Sequence, residues 1–156
     1  MTAMWRFRPS RSQDAEQMYD VWHDAVRATH DFLRDGDFAE ISVLVRRDYL
    51  PNYAFTVAVD ANDRVVGFMG MTDHHIDSLF IDPTCHAKGL GRAFIAEAAS
   101  RANVLEVEVN AQNLRALGFY EALGFAAYAS SPVDDGGRPY PILKMRLMTP
   151  ARMRKS

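Results

Sequence analysis

The sequence lacks a second cysteine, a long apolar run and an excess of charge of one sign. Its one cysteine, Cys85, cannot form a disulfide within the chain, which favours a reducing compartment. No run approaches the roughly 18 apolar residues of a membrane span, and the first residues lack the apolar core of a signal peptide. The 18 Lys and Arg against 20 Asp and Glu predict no basic surface for nucleic acid. We therefore expect a cytoplasmic protein without nucleic-acid or membrane partners.

What is present is typical of one soluble globular domain. The 156 residues are 48% hydrophobic and 24% charged. A chain of this length buries roughly two-thirds of its unfolded surface, so it needs no disulfide or metal for stability. No internal repeat or linker-like composition divides it. We predict a single domain over 1–156, with a core at about 4–148 and a frayed tail at 149–156.

The apolar pattern of the first half predicts a strand, two helices and then three strands. Met18, Val21 and Trp22 follow helical spacing in the first helix. Pro51 ends the second helix because proline has no backbone N–H to donate. In chain order, the predicted segments are 5–9, 12–29, 37–49, 54–59, 65–71 and 75–82.

The second half predicts a helix, a strand, a helix and two strands, in that order. Gly124 takes the C-cap position of the second of these helices. The predicted segments are 90–101, 104–109, 116–123, 125–130 and 142–147. The whole order is β1-α1-α2-β2-β3-β4-α3-β5-α4-β6-β7, which is an α/β fold class with a mixed sheet of about seven strands and about four helices.

A glycine-containing loop, Lys88-Gly89-Leu90-Gly91, opens the predicted third helix. Glycines let a ligand approach the backbone, and the free amides of a first helical turn attract anions, so a phosphate fits here. Packing alone explains such a pair of glycines equally well. The spacing matches neither the dinucleotide-binding fingerprint nor the P-loop, which argues against a nucleotide-binding module.

Two gapped motifs carry a resemblance to a known family. The first runs from Leu79 through Pro83 to Arg92, and the second is Asn113-x-x-Ala-x-x-x-Tyr120-x-x-x-Gly-Phe. Together they resemble the GCN5-related N-acetyltransferases, the GNAT superfamily, over nearly the whole chain. Shorter matches at 28–33 and 133–141 resemble a small bacterial branch of it. One departure is His86, which stands where the family has Arg or Gln.

The resemblance implies a mostly antiparallel sheet and an acetyl-CoA cosubstrate. It implies that pantetheine pairs with the strand edge at Leu79, Phe80 and Ile81, and that Asn113 hydrogen-bonds the pantetheine arm. It implies that Tyr120 protonates the leaving thiolate, although the position alone also suits a core tyrosine. Asn113 also suits a helix N-cap. The residues implied to hold the pyrophosphate are His86, Ala87, Lys88, Gly89, Leu90, Gly91 and Arg92.

The general base stays open at this point. The resemblance places Glu108 on the strand that lines the reaction centre in the family, so Glu108 is a candidate base. An exposed strand residue without a catalytic role explains Glu108 equally well. The imidazoles of His30, His74 and His75 titrate near neutral pH and are further candidates, and water could also take the proton. With Tyr140, these histidines are candidate residues for binding the acceptor. We expect no metal, because no zinc-type spacing accompanies the His74-His75 pair.

The resemblance therefore implies direct transfer of acetyl from acetyl-CoA to a primary amine, on a protein lysine or a small molecule. We expect no acyl-enzyme, because Cys85, the one thiol, lies in the loop and not at the strand edge. The alternative is an acyl-CoA-binding sensor with little catalysis. The family often dimerises, so a homodimer is an open expectation. The identity of the acceptor does not follow from the fold.

Overall fold

A computed structural model describes residues 4–86 and 88–149. Ala87 and residues 150–156 of the expected tail lie outside the described residues. Among the described residues, short 3-10 turns lie at Ser12–Asp14 and Pro83–Cys85, and a π-helical turn lies at Val45–Tyr49. The helices are α1 Ala15–Thr29, α2 Asp35–Leu44, α3 Leu90–Ala99 and α4 Leu114–Ala122. The strands are β1 Arg6–Pro9, β2 Thr56–Val59, β3 Val65–Thr72, β4 His75–Ile81, β5 Val104–Asn110, β6 Ala126–Ser131 and β7 Ile142–Met148.

Within residues 4–86 and 88–149, seven strands form one mixed sheet in the order β1-β2-β3-β4-β5-β7-β6. Strands β1, β2 and β3 pair antiparallel in sequence, as do β5 with β7 and β6 with β7. Strand β4 pairs with β5 in parallel, with His75 opposite Glu106 and Ile76 opposite Val107. The α/β fold class, the order of elements and the four helices of the described residues confirm the sequence prediction.

The chain groups into two compact units, and the first comprises Met1–Gly70 and Ser78–Gly91. Its core combines aliphatic side chains with packed aromatic rings. Trp22 of α1 stacks on Phe38 of α2 with ring centroids 5.6 Å apart, and Phe68 of β3 packs against Phe55 and Phe80 at 5.5 and 5.6 Å. These apolar faces explain why weak helix formers such as Trp and Phe lie in helices here: packing outweighs propensity.

The second unit comprises Met71–Asp77 and Arg92–Ser156. Strand β5 pairs with β7 over its full length, from Val104 opposite Met148 to Asn110 opposite Ile142. Alternate β5 residues, Leu105, Val107 and Val109, are buried, as the two-residue period of a strand requires. Helix α4 ends before Gly124, whose φ of 100° favours glycine and confirms the predicted cap.

Some boundaries differ from the prediction. The expected helix 37–49 is α-helical from Asp35 to Leu44 and continues as a π-helical turn at Val45–Tyr49. Thr149 is buried, and its N–H donates to the Asn103 carbonyl at 2.8 Å. Within the described residues, no helix combines the length and apolar character needed to cross a bilayer.

Candidate active site

The glycine loop lies between β4 and α3. Asp82 begins a 3-10 turn by accepting a hydrogen bond from the Thr84 N–H at 2.9 Å, and α3 starts at Leu90. Lys88 and Gly89 are exposed. Gly89 has a φ of 90°, and a Cβ built there meets nothing within 4 Å. The backbone is thus open just before a helix N-terminus, where an anion is favoured.

Most of the other residues predicted to bind CoA are less exposed. Leu79 and Ile81 are half-buried on β4, while Phe80 packs against Phe68. Leu90 is a core residue, so only its backbone can face a ligand. The remaining ones are His86 and Gly91, both half-buried, and Arg92, which is exposed in the first turn of α3.

Asn113 is the N-cap of α4. Its Oδ1 accepts a hydrogen bond from the Ala116 N–H at 3.1 Å, and the residue is buried. The cap satisfies one of the amides that a helix N-terminus leaves unpaired. The structure therefore confirms the capping interpretation, and a contact with pantetheine stays a prediction.

Tyr120 is 7% exposed on α4, and its ring packs edge-on against Phe119 and Phe125 at 5.0 and 5.1 Å. Among the described residues its hydroxyl has no hydrogen-bond partner. Burial raises the pKa of the phenol above its ordinary value, because the charged phenolate would lose its hydration. The hydroxyl therefore keeps its proton through neutral pH.

His75 and Glu108, which are alternative candidates for the general base, lie close together. His75 Nε2 is 3.7 Å from Glu108 Oε2, and His75 Nδ1 is 2.8 Å from Asp77 Oδ1. Sequence reasoning missed Asp77. The signal was present in β4, because residues two apart in a strand point to the same face, as His75 and Asp77 do.

The remaining candidate residues, His74, His30 and Tyr140, have contacts other than those of His75 and Glu108. His74 Nε2 lies 3.1 Å from Glu106 Oε1, while Arg146 donates two bonds to Glu106 Oε2 and lowers the pKa of that carboxyl. His30 ends α1 beside Thr29, and burial lowers the pKa of its imidazole. Tyr140 is buried. In the part of the chain that the structure describes, no group of three or more His, Cys, Asp or Glu could hold a metal.

Comparison with known proteins decides the family. The family model of the acetyltransferase (GNAT) domain matches residues 38–147, which is more than half of the chain. The chain belongs to the GNAT family. Within it, the chain is 42% identical to peptidyl-lysine N-acetyltransferase YjaB of Salmonella typhimurium strain LT2, over 91% of this chain and 97% of that protein. The expected superfamily and bacterial branch are thereby confirmed.

Solved structures with the same fold agree. The solution structure of apo YjaB from Escherichia coli superposes with a TM-score of 0.88 at 41% identity, covering 92% of this chain and 97% of that one. The yncA protein of Salmonella typhimurium, solved with its cofactor acetyl-CoA, has the same fold, with a TM-score of 0.64 at 19% identity over 95% of each chain. As a GNAT member, the chain is an N-acetyltransferase that moves acetyl from acetyl-CoA to an amine.

Proposed function

We propose that the amine acceptor is a lysine side chain of a protein. The observation that carries this proposal is the 42% identity, over 91% of the chain, to an enzyme named for peptidyl lysine. A physical feature supports it. Glu108 and His75 are about one-third exposed and Asp77 lies beside them, so a carboxylate-rich patch can attract the ammonium group of a lysine.

Acetyl-CoA is the donor, and we propose how the chain holds it. Lys88, Gly89, the backbone of Leu90 and the following first-turn amides of α3 would bind the pyrophosphate. The open space at Gly89 supports this, because a side chain there would occupy the room that a phosphate needs. The strand backbone at Leu79–Ile81 would hold pantetheine. For Asn113, a hydrogen bond to the pantetheine arm stays a prediction from the family resemblance. His86 would contribute little beside the backbone amides.

Tyr120 is proposed as the general acid. When the amine attacks, the C–S bond breaks and the departing thiolate needs a proton. Burying a hydroxyl without a partner costs about 1–3 kcal/mol, so an unpaired one in a core needs an explanation. A sulfur atom that accepts its hydrogen bond during the reaction supplies that explanation. Transfer is direct, and Cys85 carries no acetyl group.

The acceptor proposal is tested by comparing amines at equal acetyl-CoA. We would measure kcat/KM for release of the CoA thiol with a lysine peptide, its Nε-acetylated twin, free lysine and spermidine. The lysine peptide should be the best acceptor, and its acetylated twin should be inert. A higher kcat/KM for either small amine would reject the protein-lysine assignment. CoA binding without thiol release for every amine would support the sensor alternative.

A cytoplasmic location and a homodimer stay predictions. Fluorescence microscopy of the tagged full chain tests the first, and sedimentation equilibrium tests the second. A single species at the 17.6 kDa monomer mass over a wide concentration range would reject the homodimer.

A further inference from the structure

We propose that His75 takes the proton from the acceptor amine and that Asp77 is the positioning residue that orients His75 for this step. The inference rests on the proposed function, since it assigns roles within the same site. Neither the sequence motifs nor the relatives' names assign a role to Asp77.

The orientation follows from the hydrogen bonds of Asp77. An ionised carboxylate only accepts, so the 2.8 Å contact requires that His75 Nδ1 carries the proton and donates it to Asp77 Oδ1. Thr72 Oγ1 donates to the other oxygen, Oδ2, at 2.6 Å. The carboxylate is thus held from both sides. In the neutral ring the lone pair is then on Nε2, which lies 3.7 Å from Glu108 Oε2.

The gap between His75 and Glu108 suits an amine. The 3.7 Å from Nε2 to Oε2 is too long for a direct hydrogen bond. A nitrogen atom can lie at about 2.9 Å from both atoms at once, which is ordinary hydrogen-bonding distance. Because the side chains of His75 and Glu108 are 32% and 33% exposed, a lysine can reach this gap from solvent.

Several charged groups surround the imidazole. Asp77 flanks it on β4, and Glu106 and Glu108 face it from β5. On β7, Arg146 pairs with Glu106, and Lys144 lies opposite Glu108. His74 also contacts Glu106. Arg146 already pairs with Glu106, which leaves Asp77 and Glu108 as the carboxylates that act most directly on His75.

Each proton in the reaction has a donor and an acceptor. The ammonium group of the lysine gives one proton to His75 Nε2, which later passes it to water. The neutral amine forms the N–C bond, and the C–S bond breaks with its electron pair leaving on sulfur. Tyr120 protonates the thiolate, and the second proton lost by nitrogen restores Tyr120 through solvent. The products are an acetylated lysine and the CoA thiol, with one proton released to water.

The first test measures the ring itself and needs no activity. Nitrogen-15 NMR of the full chain should show the neutral His75 ring as the Nδ1–H tautomer. In Asp77→Asn the amide can also donate to Nδ1, so the two tautomers should mix. Asp73→Asn is the matched control, because it removes a neighbouring carboxylate in the turn before β4 and keeps a residue type that tolerates its φ of 54°. An unchanged tautomer in Asp77→Asn would overturn the positioning role.

The second test is the pH profile of kcat/KM with the lysine peptide. His75→Ala should lower kcat/KM about 10²-fold and remove the acidic limb of the profile. Asp77→Asn should lower kcat at little change in KM, while Asp73→Asn matches wild type. A larger loss in Glu108→Gln than in His75→Ala would make Glu108 the base and overturn the assignment. Should wild type fail to acetylate the peptide, the acceptor proposal fails, and the NMR result still decides the role of Asp77.

Discussion

Removing the Tyr120 hydroxyl should separate stability from catalysis. Tyr120→Phe keeps the ring and its edge-on contacts with Phe119 and Phe125. It deletes a buried hydroxyl that has no hydrogen-bond partner among the described residues. If the hydroxyl donates a proton in the reaction and does not stabilise the fold, its loss should raise the stability of the protein and lower kcat.

The two effects have different sizes. An unsatisfied buried hydroxyl costs about 1–3 kcal/mol, of which we expect the variant to recover about 1 kcal/mol. For a domain of this size, that raises Tm by roughly 2–4 °C. Loss of a general acid lowers kcat by roughly 10²-fold, which corresponds to about 2.7 kcal/mol of transition-state stabilisation.

The assay pairs thermal unfolding with steady-state release of the CoA thiol. Tyr19→Phe is the control. The Tyr19 ring is partly buried, 5.8 Å from the Trp22 ring, and Tyr19 lies outside the proposed site. This control should leave kcat unchanged. In Tyr120→Phe, KM for acetyl-CoA should stay near wild type while kcat falls.

Two outcomes would refute this reasoning. A kcat equal to that of wild type would remove Tyr120 from the mechanism. A Tm several degrees lower would show that the hydroxyl stabilises the fold, and its unpaired burial would then no longer support a catalytic role.

Three further predictions concern the loop, a buried ion pair and a helix cap. Gly89→Ala should raise KM for acetyl-CoA roughly tenfold, because a residue with a side chain is strained by about 1–2 kcal/mol at a φ of 90°. Gly118→Ala is the control and should leave KM unchanged, because Gly118 is helical and has equal room for a Cβ. Asp14→Asn should reduce the free energy of unfolding by about 2 kcal/mol at pH 7, since it removes the buried carboxylate that accepts two hydrogen bonds from Arg8 and leaves Arg8 with Asp63 at 3.2 Å. Arg8 lowers the pKa of Asp14, so this difference should shrink as pH falls below about 4 in urea titrations. Asn113→Ala should reduce the free energy of unfolding, measured in urea, by about 1 kcal/mol, because the helix loses its N-cap. Asn113→Asp keeps the cap, so a KM for acetyl-CoA that is raised in both variants would indicate a pantetheine contact.

Much of the fold follows from local pattern. The alternation in β5 and the spacing of Val21 and Trp22 report burial directly, because each residue lies on one face of its element. The π-helical turn at Val45–Tyr49 could not be predicted. It depends on the Leu50 N–H donating five residues back to Val45 at 2.9 Å, and a single turn is too short for its period to differ visibly from that of an α-helix.

The candidate site also combines features that the sequence predicts with features that it does not. Motif spacing pointed to Gly89 and Tyr120, since glycine before a helix and tyrosine seven residues after Asn113 are sequence-local features. The pairing of His75 with Glu108 was not visible. It depends on the register of β4 against β5, which is set by contacts between residues some 30 positions apart.

The central claim, direct transfer of acetyl to a lysine, is tested most directly by following one labelled acetyl group. Acetyl-CoA carrying carbon-13 in its acetyl group would be incubated with the full chain and a lysine peptide, and the peptide amide and free CoA thiol measured together. We predict one acetyl-lysine for each thiol released, with no label retained on the protein. Thiol release without acetyl-lysine, or label bound to Cys85, would contradict it.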